Sequence, residues 1–173
     1  MVDKPDNFDD MMIVYEEAQA VLDEITEPGM SDVEVAFRIF HWARNNIHYI
    51  GSSDKSTWVD CAKDGFELYR GDCYTYYACC HALLDVAGID NMMVERYPVY
   101  RSHHYWNLVY LEGQWYHCDS CPSSSHTGYY FMYTDNELGT SNNFDKESEV
   151  YPARATESVQ RRLNYNTLTI SEE

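Results

Sequence analysis

Cys73, His104 and Asp119 are the residues of this chain whose types and spacing combine into chemistry. A hairpin centred between Glu112 and Gly113 pairs Leu111 with Gln114, Tyr110 with Trp115, Leu108 with His117 and Trp106 with Asp119. Side chains alternate along a strand, so His104, Trp106, Leu108 and Tyr110 share a face with Trp115, His117 and Asp119. His104 is then the diagonal neighbour of Asp119, roughly 7 Å away at the backbone and closer at Cβ, within reach of a hydrogen bond. An imidazole fixed by a carboxylate lacks only a thiol or hydroxyl to deprotonate. Cys73 fits because it begins a helix, whose unpaired N–H groups and macrodipole favour negative charge on sulfur and on an oxyanion. The charge of Asp72 opposes this effect, while its side chain is a good N-cap.

Other residues compete for these roles. His103 adjoins His104 but points to the opposite face. Cys118-x-x-Cys121, with His117 and His126 nearby, suggests a zinc knuckle, yet the adjacent Cys79-Cys80 cannot supply a second spaced pair, so no metal is expected. Cys61, Cys79, Cys80, Cys118 and Cys121 are expected as buried small hydrophobes or one local disulfide. Trp58, Tyr49 or another upstream polar ring could give the second oxyanion donor. No cofactor is required by any of this chemistry.

The elements that must position these residues follow from periodicity. Between Asp9 and Thr26, Val14, Ala18, Val21, Leu22 and Ile25 recur at helical spacing, and Pro28-Gly29 closes the segment. Ser31 with Glu34 is a capping-box start for a second helix, with Val33, Phe37, Phe40, Ala43 and Ile47 as its buried stripe and Gly51-Ser52-Ser53-Asp54 as its break. A short helical piece over Cys61 to Tyr69 leads to a helix from Cys73 to about Ala87, stopped by Gly88, with Tyr76, Tyr77, Cys80, Leu84 and Ala87 as its buried stripe. Strands are then predicted over Met92–Tyr100, His104–Leu111, Gln114–Asp119 and Gly128–Tyr133, with a further weak element near residues 155 to 163. Helices first and antiparallel strands after them make the fold class α+β.

Composition bounds what such a site can serve. The chain has 173 residues, a length that suits one domain. Its net charge is −17, so a phosphate-rich partner meets repulsion and nucleic acid is disfavoured. Eleven of the acids fall in the first 34 residues, read as a solvated helix face, since the alternating Asp/Asn loop of an EF-hand is absent. No apolar run is long enough to insert in a membrane, and the N-terminus has neither the basic nor the apolar region of a secretory signal.

Gly71-Asp72-Cys73-Tyr74-Thr75-Tyr76-Tyr77, His104-Tyr105-Trp106-Asn107-Leu108-Val109 and Trp115-Tyr116-His117-Cys118-Asp119 together resemble the transglutaminase-like superfamily, whose core reads G-x-C, H-x-W and an Asp after a W-Y strand. The motifs stand in the family's order, 31 residues from Cys to His and 15 from His to Asp. Phe40-His41-Trp42-Ala43-Arg44-Asn45-Asn46-Ile47-His48-Tyr49 is similar to the family's helix before the nucleophile, and the likeness covers about residues 31 to 135. The resemblance implies a papain-like core with Cys73 as nucleophile, His104 as general base and acid, and Asp119 as orienter. The expected organisation is an acidic helix over 1–30, a catalytic core over 31–140 and an extension over 141–173. It further implies a thiol-dependent cysteine peptidase, amidase or transglutaminase acting on a protein or peptide, without cofactor. The alternative is a non-catalytic module that binds a peptide or cell-wall ligand. The likeness is to bacterial secreted and cell-surface domains, which implies an extracellular location, with the cytoplasm as the alternative.

Overall fold

A computed structural model describes residues 7–122 and 128–172. Three helices build the frame on which the nucleophile helix rests: α1 (Phe8–Ile25), α2 (Asp32–Asn46) and α3 (Trp58–Leu68). Ser31 Oγ accepts from Glu34 N at 3.2 Å and starts α2, and Val33, Phe37, Phe40, Ala43 and Ile47 are all buried. The helix ends at Asn46, before the Gly51 break that the sequence suggests, because Asn45 and Asn46 fold back onto the carbonyls of His41 and Trp42. The released chain forms β1 (His48–Tyr49), paired in parallel with β2 (Arg70–Gly71) just before the nucleophile helix. Helix α3 starts at Trp58, earlier than expected, because the Thr57 side chain caps it by accepting from Asp60 N.

The nucleophile helix α4 spans Cys73–Ala87, and Gly88 closes it at φ 75°, a left-handed turn that favours glycine. It does not bury a single stripe. Thr75, Ala78, Cys79, Ala82 and Leu83 are buried as well as Tyr76, Tyr77, Cys80 and Leu84, while Ala87 is only half-buried. The reason is its position: α1, α2 and α3 pack on it together with strands β3 and β4 of the sheet, so the apolar residues surround the axis.

Four antiparallel strands follow in the order β3 (Asn91–Glu95), β4 (Tyr105–Leu111), β5 (Gln114–Asp119) and β6 (Tyr130–Tyr133). The β4–β5 hairpin has the expected register, Leu111 with Gln114, Tyr110 with Trp115 and Leu108 with His117. Its two turn residues take positive φ, 51° at Glu112 and 78° at Gly113, the primed-turn geometry that matches strand twist. Strand β3 stops short of the predicted Tyr100; Pro98, which has no N–H to continue a ladder, lies in the irregular segment that follows. Between His117 and Asp119 the pairing with β6 shifts by one residue, and Met132 at φ 53° takes up the extra position.

Helix α5 (Asp135–Leu138), a turn of 3-10 helix at Gln160–Arg162 and a small hairpin of β7 (Leu163–Asn164) and β8 (Thr169–Ile170) complete the chain. The C-terminal stretch is tied to the sheet. Ala155 N donates to Trp115 O at 2.9 Å and Gln160 Nε2 to Phe131 O at 2.7 Å. The fold is α+β, helices first and an antiparallel sheet after.

Candidate active site

The start of α4 is fixed by side chains on both sides of Cys73. Asp72 Oδ1 accepts from Tyr74 N at 3.1 Å, and Thr75 Oγ1 accepts in return from Asp72 N at 3.1 Å. Ser53 Oγ donates to Asp72 Oδ1 at 2.7 Å, and Lys55 Nζ pairs with Asp72 Oδ2. Burial alone would push the Asp72 carboxyl up, but Lys55 and Ser53, helped by Tyr74 N, hold it below the ordinary value. Asp72 is therefore an answered charge. Lys55, 17 residues upstream on an irregular segment, left no signal for this in the sequence.

His104 and Asp119 meet as the hairpin parity requires, with His104 Nε2 2.7 Å from Asp119 Oδ2. Oδ2 also accepts from Asn142 Nδ2 at 2.8 Å, and Oδ1 accepts from Cys121 N at 3.0 Å. Burial opposes ionisation of Asp119, and the His104 charge facing it, with these hydrogen bonds, overcomes that and lowers the carboxyl. His104 is the mirror case. Burial would lower it, but the Asp119 charge and hydrogen bond, then a hydrogen bond with Cys73, raise it to about 10. The Asp119 carboxylate thus favours the cationic form of the imidazole. With Nε2 committed to Asp119, Nδ1 is the nitrogen left for the thiol.

Cys73 is 8% exposed, with Sγ 3.9 Å from the carbonyl of His103. Together with Tyr49, Arg96 and Asn142, the three residues line one cleft of about 530 Å³. Tyr49, one of the two rings named from sequence, is on its wall. Trp58 is elsewhere, packed against Tyr15 and edge-on to His81. His103 also lines the cleft, but its ring is exposed and lies parallel to Tyr105, while the bond to Asp119 is made by His104.

The Cys118–Cys121 pair does not gather ligands. Cys118 is buried and its Sγ accepts from Met132 N, while Cys121 lines the cleft. His117 is held between Trp106 Nε1, which donates to Nδ1 at 3.0 Å, and Asp135 Oδ1, 2.7 Å from Nε2. Its full burial, seconded by Arg154, pushes it down, so it is a neutral core histidine. His126 lies outside the described residues. Among the described residues no group of three or more His, Cys, Asp or Glu could hold a metal ion, and all six cysteines are free and buried. Burial also raises the thiols of Cys61, Cys79, Cys80, Cys118 and Cys121, that of Cys80 to about 12.

Asn142, like Lys55 and Arg96, is a residue of the site that sequence reasoning missed. It lies in a polar stretch with no periodicity, 23 residues beyond the carboxylate it serves.

Comparison with known proteins bears on the fold and the family. No match was found among curated proteins. A solved structure from Cytophaga hutchinsonii, of a protein proposed to be a cysteine protease, superposes with a TM-score of 0.52 at 18% identity, over 74% of this chain and 43% of the other. A second, of a TGase, gives 0.49 at 11% identity, over 82% of this chain and 38% of the other. The chain therefore spans less than half the length of either solved protein. At these identities the likeness to the first is one of fold. The sequence pattern of the transglutaminase-like superfamily matches residues 19–120, which include α4, the hairpin and all three cleft residues Cys73, His104 and Asp119. That stretch is more than half of the chain, and with the α+β fold around it, it makes this protein a member of the transglutaminase-like superfamily.

Proposed function

We propose that the chain is a thiol-dependent acyl-transfer enzyme acting on peptide or carboxamide bonds, with Cys73 as nucleophile, His104 as general acid and base, and Asp119 as the group that orients His104. The observation that carries this is the set of groups in one cleft: a thiol at a helix start, an imidazole lining the same cleft, and a buried carboxylate 2.7 Å from the Nε2 of that imidazole. Superfamily membership supports the same chemistry.

In the proposed reaction the Cys73 thiolate forms a bond to the carbonyl carbon while the C=O pair moves onto oxygen. The Cys73 N–H, an orphan amide of the first helical turn, and the Tyr49 hydroxyl are the proposed donors to that oxyanion. Collapse breaks the C–N bond, and the leaving amine takes the His104 proton. Water or an acceptor amine then attacks the thioester, gives its proton to His104, and the thiolate leaves. Peptidase, amidase and transglutaminase differ in the acceptor and the carbonyl offered.

The test combines labelling with turnover. Iodoacetamide at pH about 6 should modify Cys73 well before the five other thiols, with the rate profile moving to higher pH in His104→Ala. Activity profiling on peptide and Gln-donor libraries, with and without an amine, then assigns the acceptor. Ammonia released only with the amine present identifies a transglutaminase. Native Cys73 reacting no faster than Cys79 or Cys121 would overturn the proposal.

A further inference from the structure

The chemistry proposed for the cleft leaves one of its charges unused. Arg96 follows β3, and its N–H donates to His104 O at 2.9 Å. The register Val94 with Trp106 and Glu95 with Tyr105 carries on to set Arg96 opposite His104, so both side chains stand on the same sheet face. Its guanidinium lines the cleft, where no other Lys or Arg is found among the described residues.

The partners of that guanidinium are all neutral. Nη1 donates to Ser102 O at 3.1 Å and to Ser102 Oγ at 3.2 Å, and Nη2 donates to Ser141 O at 2.8 Å. Nε is buried and has no hydrogen-bond partner. A guanidinium offers five donors in a planar fork suited to a carboxylate, so three neutral bonds satisfy neither its geometry nor its charge. Several other cations of the fold do meet a carboxylate. Lys55 meets Asp72, Arg154 meets Asp135 and Arg162 meets Glu112. Arg38 also donates to a carbonyl, Ile25 O at 3.4 Å, and has a buried Nε without a partner, but Arg96 is the one that lines the cleft. The carboxylate that lines the cleft, Asp119, is already taken by His104, Asn142 and Cys121 N.

We infer that Arg96 is a specificity-determining residue: the cleft takes substrates that carry a carboxylate beside the bond to be broken, either an acidic side chain or a free C-terminus. This rests on the acyl-transfer reading for the identity of that bond. Arg96 also ties together the segments that hold Ser102 and Ser141, so a purely structural role predicts that its loss harms every substrate alike. Selection by charge predicts that only carboxylate-bearing substrates suffer.

The full chain is assayed with an N-acetylated pentapeptide library made in four versions, with Glu or Gln at one fixed place and with a C-terminal acid or amide. Wild type should favour one carboxylate-bearing version by about tenfold in kcat/KM, the scale of one charge-assisted contact, and rising salt should shrink the preference. The Glu/Gln and acid/amide arms identify which carboxylate is read. In Arg96→Gln the preference should vanish through a higher KM for that version, with the neutral version within about twofold of wild type. Arg96→Lys, which keeps the charge, should keep part of it. The same four versions are titrated by fluorescence polarisation onto Cys73→Ala, which binds without turnover. Carboxylate-dependent binding that is lost on adding Arg96→Gln supports the inference even if Cys73 labelling shows the acyl-transfer reading to be wrong. Equal binding of all four versions, including none at all, overturns it, as does an equal loss of kcat/KM for all versions in Arg96→Gln.

Discussion

At the scale of single residues, the cleft is an arrangement of answered charges. Asp119 holds its negative charge in a buried place because His104, Asn142 and Cys121 N all point at it. Removing any one of them has a distinct expected outcome. Asn142→Ala deletes one hydrogen bond to a buried carboxylate and should cost about 1.5–3 kcal/mol in urea denaturation. Asp119→Asn leaves the sulfur in place but disturbs the tautomer and position of the imidazole. On an identified substrate, turnover should fall by about 10²–10⁴-fold while Cys73 labelling stays measurable; full activity would remove Asp119 from the mechanism. The pair also sets a pH window. His104 is raised from 6.5 to about 10, so its contribution to stability is fully present below pH 6.5 and lost as pH rises through about 10. Asp119 is lowered from 3.8, so its contribution is present above that pH and lost as pH falls through its lower folded value. The difference in melting temperature between wild type and Asp119→Asn should be largest from about pH 4 to 6.5 and shrink towards pH 10. A difference that does not change with pH would show that the ion pair is not its source.

At the scale of elements, the spacing of Gly71 and Cys73 has a steric cause. A Cβ on Gly71 would run into the Thr75 side chain, the same side chain that closes the capping box by accepting from Asp72 N. A Cβ on Gly65 of α3 would meet Thr75 from the other side, together with Cys79 Sγ. Thr75 is thus wedged between two glycines, and the start of α4 cannot shift without disturbing one of them. Gly71→Ala should destabilise the fold by about 1–3 kcal/mol through overpacking and slow Cys73 labelling, because the helix start must move. An unchanged labelling rate in the folded variant would separate the capping box from the position of the thiol. This level of the structure was legible in part. The hairpin register followed from one two-residue turn and the parity of strands, and it placed His104 beside Asp119 without any knowledge of the rest. The surroundings of α4 were not legible, since a helix apolar on every side gives no clue to which neighbours cover it, and the stripe inferred from Tyr76 to Ala87 described only part of it. Asn142 and Lys55 escaped for another reason. Each reaches its carboxylate from a segment without regular structure, where neither periodicity nor spacing encodes direction.

At the scale of the whole molecule, the charge of −17 is a source of self-repulsion as well as solubility. One place where it concentrates is between α1 and α3. Glu17 is raised to about 7 by partial burial and then by the hydrogen bond and charge of Glu67, with Lys63 only partly compensating. A carboxyl raised in this way favours the folded state when protonated, so its unfavourable charge grows as pH rises from 4.5 through about 7. Glu17→Gln should therefore raise the melting temperature at pH 8 and leave it nearly unchanged at pH 5. A rise of equal size at both would trace the effect to packing. The docking of α1 on α4 and α3 is the contact that this charge weakens, and added salt should reproduce part of the gain.

The burial of α4 on all sides also gives the chain an internal clock. Cys79 and Cys80 sit on the same helix as Cys73, both with no exposure at all, and neither can meet a reagent until the layers around α4 part. Their modification rate, followed residue by residue with mass spectrometry, reads the opening of the central helix, while Cys73 in the same sample reports the native cleft. Where reagent capture outpaces reclosing, the Cys79 rate becomes the unfolding rate itself and no longer depends on reagent concentration. One tube of protein then yields two lifetimes, that of the cleft and that of the fold.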